Sequence, residues 1–168
     1  MITDRVSIDR SQYEGTWKYE RASSLPDFPR EPRYARYLCT STDFLNCDSY
    51  PCWFTDAART TFLGKIEDDC QRPIRFAELL SYPHLVSRKL REFIEADRRR
   101  PCLHVIVEHC TRCNVHVVKD GNKQLLAVAT QNVTQLLRVT EVAGDDWSSA
   151  RYDMKKVCRC ADTASHRS

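Results

Sequence analysis

Val117-Val118-Lys119-Asp120-Gly121-Asn122-Lys123-Gln124-Leu125-Leu126-Ala127 is the stretch on which the fold turns. Apolar residues run into Asp-Gly, and a helical apolar pattern begins at once after it. Glycine accepts a sharp bend or a positive φ at little steric cost. The stretch therefore reads as strand, tight turn and a helix over Asn122–Gln131, with Leu125, Leu126 and Ala129 packed inward. The amides of Asn122, Lys123 and Gln124 are then first-turn donors without intrahelical acceptors. Such a terminus attracts anions, because its N–H groups and the helix dipole point the same way. Lys123 adds a formal positive charge. The structural alternative is a tight turn joining strand to helix, with Lys123 in water.

Working outward, Leu103–Glu108 is strongly β-branched and reads as a strand. Asn114–Val118 reads as its hairpin partner, with the turn near Thr111-Arg112, and Leu136–Val142 reads as a closing strand. Upstream, Ile74–Phe76 reads as a short strand. Pro83 precedes an amphipathic helix from His84 to about Arg98, with Val86, Leu90, Phe93 and Ile94 on one face.

Asp120-Gly121-Asn122-Lys123-Gln124-Leu125-Leu126-Ala127 resembles the Asp-Gly-x-His-Arg-x-x-Ala signature of the ParB/sulfiredoxin-like fold, and Pro73-Ile74-Arg75-Phe76-Ala77-Glu78-Leu79-Leu80 resembles the opening of that domain. The resemblance spans about residues 72–145. It implies an α+β domain, a small mixed sheet with packed helices. In that family the signature helix commonly binds nucleotide phosphates, and members include DNA-partition proteins, sulfiredoxins, free-serine kinases and nucleases. The resemblance thus implies a phosphate-recognising protein whose partner is a nucleotide, with Mg, or a nucleic acid. Gly121, Asn122, Lys123 and Gln124 would form the cradle. Arg88 and Lys89 on the preceding helix would assist, and Asp120 is the catalytic candidate for residual phosphotransfer or nuclease activity. Here Lys123 stands at the signature histidine and Gln124 at the arginine. Lysine still attracts phosphate as a point charge, but glutamine lacks the planar cationic fork. A second function class follows: a non-catalytic interaction module with a protein partner, which kept the scaffold and lost the chemistry.

A 168-residue chain suffices for one well-packed domain, and 42% apolar with 29% charged residues fits a globular protein. A net charge of +3 is too small to argue nucleic-acid binding from bulk electrostatics. No apolar run is long enough to cross a membrane, and Met1–Ser7 has no signal-peptide core. The expectation is a cytoplasmic protein with no membrane partner, in which the nine cysteines are reduced thiols. An odd cysteine count also argues against a complete disulfide framework.

Cys110-Thr111-Arg112-Cys113 can hold one metal ion from a tight turn, and Cys158-Arg159-Cys160 would complete a four-thiolate zinc site if the last helix folds back onto the hairpin. The alternative is that these thiols are ordinary turn and strand residues.

The expected organisation is an extension, 1–71, packed on the core, the domain proper over 72–160, and a disordered tail, 161–168. Thr16–Glu20 alternates like a short strand, and the stretch broken by Pro26, Pro29 and Pro32 must be extended or turning. The aromatic residues of 13–53 belong either in a core or on a partner surface, burial being the commoner outcome. A helix from Thr55 or Asp56 to Asp68, with Phe54, Ala58, Phe62 and Ile66 as its buried stripe, and a last helix from Trp147 to about Val157 complete the expectation.

Overall fold

The computed structural model describes residues 2–17, 26–52, 73–79, 92, 95–96, 100–131 and 133–161. The architecture is α+β. Strands β1 (Thr3–Ile8), β2 (Arg33–Thr40), β3 (Asp48–Pro51), β4 (Cys102–Cys110), β5 (Val115–Asp120) and β6 (Leu136–Gly144) form one mixed sheet in the order β1-β2-β6-β4-β5-β3. The helices are α1 (Arg10–Glu14), α2 (Ser41–Asn46), α3 (Phe76–Leu79), α4 (Asn122–Thr130) and α5 (Asp153–Val157), with a 3-10 turn at Arg159–Ala161.

The central strand β4 pairs in parallel with β6 and antiparallel with β5. It reads as a nearly continuous apolar run because neighbours flank it on both edges and side chains cover both faces. Val105, Val107, Val117, Val118, Leu137, Val139 and Val142 are fully buried there. Side chains alternate across the pleat. Glu108 and His116 therefore lie on opposite faces, since Glu108 opposes Val117 while His109 opposes His116. The His116 face receives α2, whose Phe44 ring meets the imidazole edge-on at 5.9 Å. The Glu108 face receives the segment from Asp27 and the C-terminal helix α5.

Four expectations need correction. The described part of residues 1–71 is not laid over a finished domain. It contributes β1, β2 and β3, half of the sheet, and β2 pairs with β6 along its whole length. The apolar periodicity of 72–145 already suggested a complete core, so the need for three more strands was invisible locally. Second, Ile74 and Arg75 are irregular and Phe76 opens α3 rather than ending a strand. Third, Trp147 lies in a turn, with its indole N–H donating to the Gly144 carbonyl at 3.0 Å, and the last helix starts only at Asp153.

Fourth, Thr16 and Trp17 follow α1 as a turn instead of opening a strand. The N-terminal aromatics go to the core: Tyr13, Trp17, Tyr37 and Phe44 are buried, and the Tyr13 ring packs between Trp17, Phe28 and Tyr34. The helices expected over 55–68 and 84–98, except for isolated positions, and the tail beyond 161 lie outside the described residues. Among the described residues, no helix is long and apolar enough to cross a membrane.

Candidate metal centre

The β4–β5 hairpin and the chain's last helix converge on one cluster of thiols. Strand β4 ends at Cys110, and Thr111–Asn114 turn the chain back. Asn114 closes the turn at φ 55°, a left-handed conformation that asparagine tolerates better than most residues. Two bonds brace the turn: Thr111 N–H donates to the Gly144 carbonyl at 2.8 Å, and His109 Nε2 lies 3.1 Å from Asn114 Oδ1. Two residues between Cys110 and Cys113 place both thiols on the inside of the bend. Cys158 caps α5, and Cys160 follows in the 3-10 turn.

What delivers Cys158 and Cys160 to the hairpin is a buried polar network. Lys119 of β5 donates from its ammonium to the Asp153 carboxylate of α5, and both side chains are sealed from solvent. Asp27 accepts the Arg151 and Tyr152 amides at 2.8 Å each and donates its own amide to Glu108 Oε1 at 2.7 Å. The segment before α5 is thereby pinned to the sheet by charge-assisted bonds. Burial pushes the Glu108 carboxyl up to about 8, against the pull of Lys119. Its Oε2 is buried without a hydrogen-bond partner. Burial alone would lower the Lys119 pKa, but Glu108 and Asp153 outweigh it, and the ammonium is held charged.

The ligand atoms of Cys110, Cys113, Cys158 and Cys160 all lie within 4.8 Å of one another, and Cys113 Sγ and Cys158 Sγ are 3.5 Å apart. No pair is bonded; all four are free thiols. Sulfurs bound tetrahedrally at a Zn–S distance of about 2.3 Å sit ~3.8 Å apart, so the cluster has the right size for one ion. The Cys158 thiol, followed by contacts with Cys113, holds Cys110 down at about 5, although burial opposes it. Burial and then Cys110 push Cys113 up to about 11, and the Cys110 contact followed by burial raises Cys158 well above the ordinary thiol range. The thiols thus share their protons, with Cys110 shifted down and Cys113 and Cys158 shifted up. A divalent cation supplies the positive charge that would release them. The four cysteines can hold a metal.

His109, His116 and Glu141 form a second group, with ligand atoms also within 4.8 Å. Its geometry is poorer for a metal. The two imidazoles stack at 4.0 Å with planes 13° apart. A metal binds in the plane of each ring, so two parallel rings cannot share one ion without rotating. Glu141 is also engaged by Arg5 at 2.9 Å and Tyr37 at 2.9 Å. Burial raises its pKa, but His109, Tyr37 and Arg5 overturn that and leave the carboxyl at about 2. Burial, with help from His109, lowers His116 to about 4. Glu141 is held by Arg5 and Tyr37, while the Nδ1 atoms of His109 and His116 are buried without a hydrogen-bond partner.

At the far end of β5 the bend forms where the sequence placed it. Gly121 has φ 89°, and α4 starts at Asn122 without a side-chain cap. A Cβ on Gly121 would meet Val105 Cγ1 at 2.7 Å and the His104 carbonyl oxygen at 2.9 Å. Backbone packing against β4, as well as the positive φ, demands glycine there. Asp120 Oδ1 accepts the Gly121 amide at 2.9 Å. Asn122 is buried, its side-chain amide donating to the Val118 carbonyl at 2.9 Å and to Cys52 Sγ at 3.2 Å. Lys123 and Gln124 are half-exposed. Arg88 and Lys89 lie outside the described residues.

The structure therefore brings Cys110, Cys113, Cys158 and Cys160 together and gathers Asp120 to Gln124 only as chain neighbours. Sequence reasoning missed the Lys119–Asp153–Asp27–Glu108 network. Glu108 entered only as the last residue of the expected strand Leu103–Glu108. Lys119 inside a run of valines was the available signal, since a lone charge in a buried strand requires a partner. No protein-family model, curated protein or solved structure matches this chain.

Proposed function

We propose that this chain is a binding protein stapled by a structural zinc ion held by Cys110, Cys113, Cys158 and Cys160. The carrying observation is the convergence of four thiols, from two separate parts of the chain, within 4.8 Å. Thiolates select zinc over magnesium or calcium. Four protein ligands complete a tetrahedron and leave no open position for substrate, which is the pattern of a structural site. The ion would lock the hairpin tip to the C-terminal segment. This supports the interaction-module class of function, with a protein partner, in which the scaffold's role is to present a fixed surface. Replacement of zinc by cobalt tests the centre. Four thiolates give Co(II) intense near-ultraviolet charge-transfer bands and visible bands typical of a tetrahedral ion. Weak octahedral-type absorption instead would reject the assignment.

A second reading keeps phosphate recognition at Asp120–Gln124, on the scaffold the sequence resembles. The observation that favours it is Gly121 at φ 89° opening an uncapped helix of nine residues. Against it stands the Asn122 side chain, directed into the core. A nucleotide, with or without Mg, should raise the melting temperature under this reading, since a ligand that binds only the native state stabilises it. Lys123→Ala should abolish that rise.

A further inference from the structure

On the Glu108 face of the sheet, at the end of β4 that packs against the Gly121 bend, lies a cleft of about 320 Å³ lined by Arg36, Cys102, Leu103, His104 and Arg138. Its basic residues come from three adjoining strands, β2, β6 and β4. His104 opposes Arg138 across the β4–β6 pairing, and Arg36 opposes Thr140, two positions along β6 from Arg138. Residues two apart on a strand share a face, so these three side chains occupy neighbouring places on one surface. His104 Nε2 lies 2.8 Å from Thr140 Oγ1, which fixes the ring at the cleft.

The fold treats these arginines differently from others. Arg5 pairs with Glu141, Arg10 with Glu14 and Arg75 with Glu78. Among the described residues, neither Arg36 nor Arg138 makes an ion pair. Arg36 Nε is buried with no hydrogen-bond partner. Like charges on adjacent strands repel, and a guanidinium donor left without an acceptor adds a desolvation cost. Asp120 is the nearby carboxylate acting on His104. One carboxylate does not neutralise two guanidiniums; burial, followed by Arg36, lowers the His104 pKa and favours the neutral imidazole.

We propose that Arg36, Arg138 and His104 form a binding site for a phosphate group, either free or carried as a monoester by a small molecule. Guanidinium forks match phosphate oxygens in pairs, and the imidazole adds one donor. The cleft sits at the lower end of the ~300–1,000 Å³ range of small-molecule pockets, which suits a mononucleotide-sized ligand or smaller. Cys102, two positions from His104 on β4, shares the face of the cleft. None of these residues belongs to the Gly121 cradle or to the four-cysteine centre; Asp120 and Gly121 border His104, so the Lys123→Ala variant separates this site from the cradle.

The test is an NMR and calorimetric titration of the full chain with inorganic phosphate and, separately, with adenosine 5′-monophosphate at constant ionic strength. Saturable binding is expected, with shifts at the His104 imidazole and the Arg36 and Arg138 Nε resonances. Arg138→Gln and Arg36→Gln should each weaken it by about tenfold or more, Arg138→Lys by less, and Lys123→Ala not at all. Tighter binding of the nucleotide than of phosphate would identify an ester ligand, and equal binding free phosphate. Arg138 is exposed, so its variants fold and carry the test should Arg36→Gln not. The proposal is overturned by absence of saturable binding at about 10 mM, by equal competition from chloride at matched ionic strength, or by loss of binding in Lys123→Ala with Arg138→Gln unaffected.

Discussion

Strand β5 carries a candidate site at each end, and the two ends differ in what their functional groups face. At the Val115 end, four thiols converge within 4.8 Å of one another, close enough to share one ion. At the Asp120 end, the groups of the bend are largely turned onto their own chain. Asp120 caps the Gly121 amide, and Asn122 bonds the Val118 carbonyl and the Cys52 thiol. A residue type at the right spacing is only a candidate. It becomes a site when tertiary packing leaves its donors or lone pairs converging on a common point. By that measure the metal centre is the stronger of the two, although it rests on the commoner sequence pattern.

The largest effect expected from breaking this contrast is at the thiol end. Stripping metal with a chelator, or introducing Cys158→Ser, should lower the melting temperature by roughly 10–20 °C, about 5 kcal/mol for a chain of this size. Amide exchange should accelerate first in the β4–β5 turn and α5, because these are the parts the ion joins. Gly121→Ala in the same assay should leave metal content untouched.

Next comes the network that delivers α5 to the hairpin. Lys119→Met would leave the Asp153 carboxylate buried without its partner and should cost about 3–5 kcal/mol by denaturant unfolding. The double variant Lys119→Met/Asp153→Leu should recover most of that loss, because the expensive element is an uncompensated charge. A double variant as unstable as the single one would show that the pair contributes more than neutralisation.

Gly121→Ala should cost about 2 kcal/mol or more, the sum of a left-handed backbone and a Cβ forced against Val105 and the His104 carbonyl. This loss measures packing of the bend and needs no ligand. An unchanged stability would mean the bend is looser than its contacts imply.

A pH-dependent effect is expected at Glu108. Its folded-state pKa of about 8 exceeds the ordinary value of 4.5. A raised carboxyl contributes stability that is fully present below the unfolded pKa and lost as pH rises through the folded one. Glu108→Gln should therefore gain stability relative to the parent as pH climbs from about 5 to 9, with the difference flattening above that. A difference independent of pH would mean that Glu108 is already ionised in the fold.

The elements around the Gly121 bend were legible because their signals are local. Alternating β-branched residues mark β4 and β6, and Asp-Gly marks the turn. The bend's glycine was read for its φ, and its contact with β4 was not visible, because contacts between strands are not encoded in neighbouring residues. The four cysteines were legible as two short pairs. Their joining was not, because it depends on Lys119 meeting Asp153 and on Asp27 meeting the Arg151 and Tyr152 amides, across separations of 34, 124 and 125 residues. The same blindness made β1 to β3 look like an addition. Tyr13, Tyr37 and Phe44 were recognisable as large apolar groups, but only pairing of β2 with β6 reveals that they complete the core.

The most direct measurement is the metal content of the purified chain, by native mass spectrometry under reducing conditions, beside the Cys113→Ser and Cys160→Ser variants. One zinc per chain in the parent, with affinity sharply reduced in both variants, is the predicted result. A metal-free parent that unfolds at the same temperature with and without added zinc would contradict the account.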